Sequence, residues 1–153
     1  MFFGCLLHDL GAGSGAAGKV RFEVEGADMA AEFLTNQGYS ATIVDNVWEA
    51  IALHTSGGIA ERRGPTCYLV RSGVVMDFGR KAEFVDGDIG AKIHARYPRL
   101  YMERALVDAV VAQAMRSPDA APPFSMSADL LRERRLGEIT SLERGAQTSR
   151  WRA

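Results

Sequence analysis

Phe2-Phe3-Gly4-Cys5-Leu6-Leu7-His8-Asp9-Leu10-Gly11 is the stretch on which the fold turns. Wound as a helix it is apolar on every side, the pattern of a central helix rather than a half-wet surface one. Its last turn nevertheless carries His8 and Asp9 side by side. An ionised carboxylate in apolar surroundings costs several kcal/mol unless a cation or a set of donors offsets it. A bound metal would supply that charge; a helix end that simply points into water would avoid the cost. Gly11 ends the helix, as glycine does just past a helix terminus.

Working outward, residues 11–19 (GAGSGAAGK) hold no hydrophobic anchor and read as a mobile loop, either a plain connector or a lid. They lack the strand before, the helix after and the hydroxyl residue that a phosphate loop needs. From Phe22 to Gln37 the spacing of Val24, Ala27, Ala31 and Leu34 is helical, with Ala30 and Phe33 alongside. Ser40 offers a cap for the next helix, 41–55, whose stripe Ile43, Val47, Ala50, Ile51 runs on to His54. Pro65 suits the first turn of a third helix, 65–78, whose face Thr66, Val70, Gly73, Val74 continues to Asp77. His54 reads as a satisfied core histidine or a site residue, and Asp77 as a site residue or the partner of an arginine such as Arg80.

Further on, Glu83 to Tyr97 forms a helix with Ile89 and Ile93 inward and His94 at the surface, and 101–116 an amphipathic one. The spacing therefore predicts an all-α protein, with residues 1–117 as the helical domain. Ala120-Ala121-Pro122-Pro123 resembles a linker. The remainder of 118–153 reads as a peripheral helix, about 130–144, or a partly disordered tail, with Arg132, Arg134 and Arg135 solvated.

A net charge of -1 over 153 residues, without a basic run, gives nucleic acid nothing to hold. No apolar run approaches the roughly 20 residues of a membrane span. Cys5 and Cys67 lie in apolar helical patterns, as reduced thiols of a cytoplasmic protein do. A small molecule is the expected partner, and self-association into a homo-oligomer is compatible with the chain. Three helices each end an apolar face on a polar group: His8-Asp9, His54 and Asp77. If they converge, their types are those of a His/carboxylate metal centre with an open position for water.

In that order, LLHDLG (6–11), RFEVEGADMAAEFL (21–34), VWEAIALHTSGGIAERRG (47–64) and LVRSGVVMDFGR (69–80) resemble the HD-domain metal-dependent hydrolase superfamily, and within it the cyanamide hydratase-like branch. The resemblance extends from about Phe2 to Arg99, roughly two thirds of the chain. It implies a helical bundle around a divalent metal, Zn²⁺ or Fe²⁺ with Mn²⁺ as a further option, held by His8, Asp9 and Asp77. Asp9 and His54 would be the catalytic pair, and hydration of a small nitrile such as cyanamide to urea the reaction. A phosphohydrolase acting on nucleotides or phosphate esters is the alternative within the superfamily, with Arg62, Arg63 and Arg71 as phosphate ligands. The family's first histidine, carried on a helix ahead of the His-Asp pair, has no match here. The resemblance therefore implies an N-terminally truncated bundle, and a non-catalytic helical remnant is the third expectation.

Overall fold

The computed structural model describes residues 1–151, and among these every regular element is helical. The α-helices are α1 (Phe2–Leu7), α2 (Phe22–Asn36), α3 (Ala41–Ala52), α4 (Pro65–Asp77), α5 (Gly87–Arg96), α6 (Met102–Ala114), α7 (Met126–Arg135) and α8 (Ser141–Gln147). Short 3₁₀ turns, among them Leu10–Ala12, link some of them. No helix of the described residues is long and apolar enough to cross a membrane.

Alanine and β-branched residues at helical spacing let α2 and α3 lie against one another. Ala27, Ala30 and Leu34 meet Val44, Val47 and Ile51, and Phe3, Leu7 and Leu10 close the cluster. Val44 takes the inward place expected of Ile43, which is 43% exposed. The helix turns by about 100° per residue, so one position of phase moves a side chain from flank to core. Cys67 and Val70 of α4 pack on Ala50 and Ala60.

Two expectations about burial change. Helix α1 is not central: Phe2 and Leu6 are exposed, and only Gly4 is fully buried. A six-residue helix that rests on α3 and α4 from one side leaves its other side in water whatever its composition. Gly4 makes that rest close, because a β-carbon there would stand 2.9 Å from Val70 Cγ2.

The second change concerns the segment after Ser117, which is no peripheral appendage. Leu130 and Leu131 of α7 join Phe22, Val107, Val110 and Val111 in a second core cluster. The single helix expected over 130–144 is broken at Gly137, whose φ of 73° suits glycine, and restarts behind Thr140. Thr140 and Glu143 bond reciprocally across the first turn of α8, a capping box. On α5 the order inverts: Ile89 and Ile93 are exposed, while His94 stacks edge-on against Trp151 at 5.3 Å.

Candidate metal centre

The polar residues that end three apolar faces do meet. His8, Asp9, His54 and Asp77 all line one cavity of about 640 Å³, together with Arg71 and Arg80. His8 terminates α1, His54 follows the last turn of α3, and Asp77 is the last residue of α4. Asp9 precedes the 3₁₀ turn Leu10–Ala12.

That turn is set by backbone contact. A β-carbon on Gly11 would fall 1.9 Å from the Phe22 carbonyl oxygen and 2.7 Å from the Gly26 nitrogen. Glycine at 11 and 26 thus lets α2 touch the segment that carries Asp9. Residues 11–19 are not a free lid either. The Glu25 carboxylate accepts from the Gly18 amide at 2.9 Å and, in a shorter contact, from that of Ala17. Gln113 Nε2 donates to Val20 O at 2.7 Å and to Glu25 at 3.1 Å.

Both histidines are oriented by the same device. His8 Nδ1 lies 2.8 Å from Cys5 O, and His54 Nδ1 lies 2.6 Å from Ile51 O. A carbonyl can only accept, so each Nδ1 carries a proton and each Nε2 is the free end of the ring. Those free ends face one carboxylate: His8 Nε2 is 3.2 Å from Asp9 Oδ2, and His54 Nε2 is 3.5 Å from Asp9 Oδ1. The rings stand edge-to-face with centroids 5.1 Å apart, and His54 is 2% exposed, edge-on to Phe22. Arg71 Nη1 donates to His54 O at 2.9 Å and steadies the end of α3.

The electrostatics follow from this crowding. Burial pushes the Asp9 carboxyl up, but hydrogen bonds from His54 and His8 outweigh it and hold Asp9 well below the usual carboxylate range. Burial pulls His8 down, yet its hydrogen bond to Asp9, the negative charge there and the Cys5 carbonyl leave it above its ordinary value. A neutral ring presenting a lone pair to a carboxylate would be repelled. The arrangement therefore calls for positive charge between ring and acid, either a proton on Nε2 or a metal ion.

The donor chemistry fits a divalent metal in one respect and falls short in another. Imidazoles anchored at Nδ1 by a backbone carbonyl, with Nε2 turned to a shared carboxylate, are what a metal site uses to fix its ligands. The set His8, Asp9, Asp77 does not close, however. Asp77 lines the cavity but is engaged by Arg99, with Arg99 Nη1 to Oδ1 at 2.5 Å, rather than by Arg80. Among the described residues no three His, Cys, Asp or Glu side chains are spaced to hold an ion.

Of the three arginines expected to bind phosphate, only Arg71 reaches the cavity. Arg63 pairs with Glu49 at 2.6 Å and Arg62 donates to Gly58 O at 2.5 Å. Sequence reasoning missed Glu23, fully buried beside the site and held by Arg21 at 2.7 Å and Thr55 Oγ1 at 2.5 Å. Arg21-Phe22-Glu23 places the pair two residues apart, but only the fold shows that Glu23 turns inward. No protein-family model, no curated protein and no solved structure matches this chain.

Proposed function

We propose that the cavity is the active site of a metal-dependent hydrolase or hydratase of the HD type, acting on a small uncharged electrophile such as cyanamide. The observation that carries this reading is the pair of imidazoles, each committed through Nδ1 to a backbone carbonyl and each turning Nε2 to Asp9. By the family resemblance His8, Asp9 and Asp77 would be the ligands of Zn²⁺ or Fe²⁺, with Mn²⁺ as a further option; among the described residues they are not spaced to hold an ion, and Asp77, on the same cavity wall, is engaged by Arg99. Such an ion, when bound, would supply Lewis acidity, making the attacking water acidic enough to ionise near neutral pH and polarising the electrophile.

The chain's own residues supply the remainder. Asp9, ionised at neutral pH, orients the attacking water and takes a hydrogen bond from it. His54, once protonated at Nε2, would donate to the nitrogen that gains negative charge. Val70, Val74, Leu106 and Leu130 line the cavity and favour a compact substrate without charge.

A second reading, a phosphohydrolase, draws on Arg71 and Arg80 in the cavity wall. Purified protein supplied with Zn²⁺ or Fe²⁺ and offered cyanamide and a panel of phosphoesters separates the two. The proposal expects urea from cyanamide, lost by at least about a hundredfold in Asp9→Asn. Turnover of phosphoesters alone would move the assignment to the second reading. Turnover of neither by metal-loaded protein would count against both readings.

A further inference from the structure

The cavity that holds His8, Asp9 and His54 offers about 640 Å³. Cyanamide, N≡C–NH₂, has about the bulk of two waters at roughly 30 Å³ apiece, and would leave most of that space to solvent. Cavities of roughly 300–1,000 Å³ suit ligands several times larger.

The surplus space has a chemistry of its own. The imidazoles and Asp9 come from the ends of α1 and α3, and Arg71 beside them is tied to His54 O at 2.9 Å. Helices α6, α7 and α8 supply further lining through Met102, Leu106, Met126, Leu130 and Leu142. Leu130 belongs to the second core cluster and Leu106, Met126 and Leu142 pack against it, so this wall is continuous with the core. The polar side chains along it already have partners in their own chain. Ser125 Oγ donates to Pro122 O at 2.7 Å and accepts from the Ala128 amide at 3.2 Å. Ser141 Oγ donates to Glu133 at 3.2 Å, and Asp129 lies 3.5 Å from Arg132 with 63% of its side chain exposed. A ligand lying along this wall meets hydrocarbon and displaces water from it, which favours an apolar group.

Phe124 gives an independent sign at the rim. It lines the same cavity yet is fully exposed, and its φ of 64° lies in the left-handed region that bulky side chains rarely adopt. A hydrocarbon group in the cavity would cover part of that ring.

We propose that the substrate is an uncharged electrophile bearing an apolar substituent of several carbons. Its reactive group sits at His8, Asp9 and His54, and its hydrocarbon runs along the wall made by α6, α7 and α8. The inference rests on the active-site reading above and adds the part of the substrate that does not react. Burial alone recognises that part, so affinity grows with its length.

Methyl NMR on the full chain, labelled with [methyl-¹³C]methionine and titrated with acetonitrile, butanenitrile and hexanenitrile, tests it. Met102 and Met126 line the cavity and report on the wall, whereas Met29 and Met115 lie outside it and serve as controls. Affinity is expected to rise about two- to fourfold per added methylene, with Met102 and Met126 moving and the controls fixed. Leu106→Trp, which narrows the wall, should flatten the series; thermal melting verifies that it is folded. Phe124→Ala, a change at an exposed position, should weaken hexanenitrile by about twofold or more and leave acetonitrile unchanged. Equal affinity along the series, or control shifts as large as those of Met102 and Met126, overturns the inference. A series that keeps its slope in every folded variant overturns it likewise. The active-site reading fails separately: if the series binds with the expected slope but metal-loaded protein hydrates no member, the apolar subsite stands and the reaction falls. Hydration of cyanamide alongside a flat series does the reverse.

Discussion

Two buried acids and one partly exposed acid in this chain hold their charge in different ways, and the contrast between them bears on the site. Glu23 is fully buried and has Arg21 and the Thr55 hydroxyl. Glu143 is buried and has Arg134, the Thr140 hydroxyl and the Thr140 amide. Asp9 has two imidazoles and no arginine or lysine. The first two have their full set of partners inside the protein, whereas Asp9, with 32% of its side chain exposed, also reaches water and gains a cation when an imidazole is protonated. Burial raises the Glu143 carboxyl, but Thr140 and Arg134 outweigh it and leave the group below its ordinary range. A depressed folded-state pKa gives stability that is present above the unfolded value of about 4.3 and fades as pH falls through the folded one. Glu143→Gln is expected to cost about 1–2 kcal/mol at pH 7 and less at pH 3. Denaturant melts at the two pH values check this, and an equal loss at both would contradict it.

At the scale of elements, the contact between α2 and the turn that follows Asp9 decides where the acid sits. Gly11 and Gly26 meet backbone to backbone, so neither position has room for a methyl group. Gly11→Ala should destabilise the fold by about 2 kcal/mol or more, because the obstructing atoms are main chain and cannot rotate aside. A melting temperature equal to wild type would show that the turn yields and that Asp9 is not pinned. Helices were legible from spacing alone: Pro65 begins α4, and the Val47, Ala50, Ile51 stripe leads to His54. Phase was less so, since Ile43 and Val44 are equally apolar and only the direction of α2 selects between them. Nor could spacing foretell that Ile89 and Ile93 would face water while His94 stacks on Trp151, a partner 57 residues downstream by the numbering of the pair.

For the whole molecule, the second core joins α2, α6 and α7 through Phe22, Val107 and Leu130. Its α7 part was hidden in the sequence, because the many arginines of α7 mask two leucines that suffice to bury one face. The meeting of His8, Asp9 and His54 was legible, since each ends an apolar stripe and stripes point to a common interior. The hold of Arg99 on Asp77 was not, because it spans 22 residues and a turn whose conformation the residues there do not announce. The account depends on a cation between two rings and Asp9, and long-range ¹H–¹⁵N NMR of the three imidazoles during a zinc titration observes that directly. His8 and His54 should carry their proton on Nδ1, and their Nε2 resonances should move together at one equivalent of Zn²⁺ while His94 stays fixed. Nε2 signals of His8 and His54 that remain unmoved at saturating zinc would contradict the metal centre.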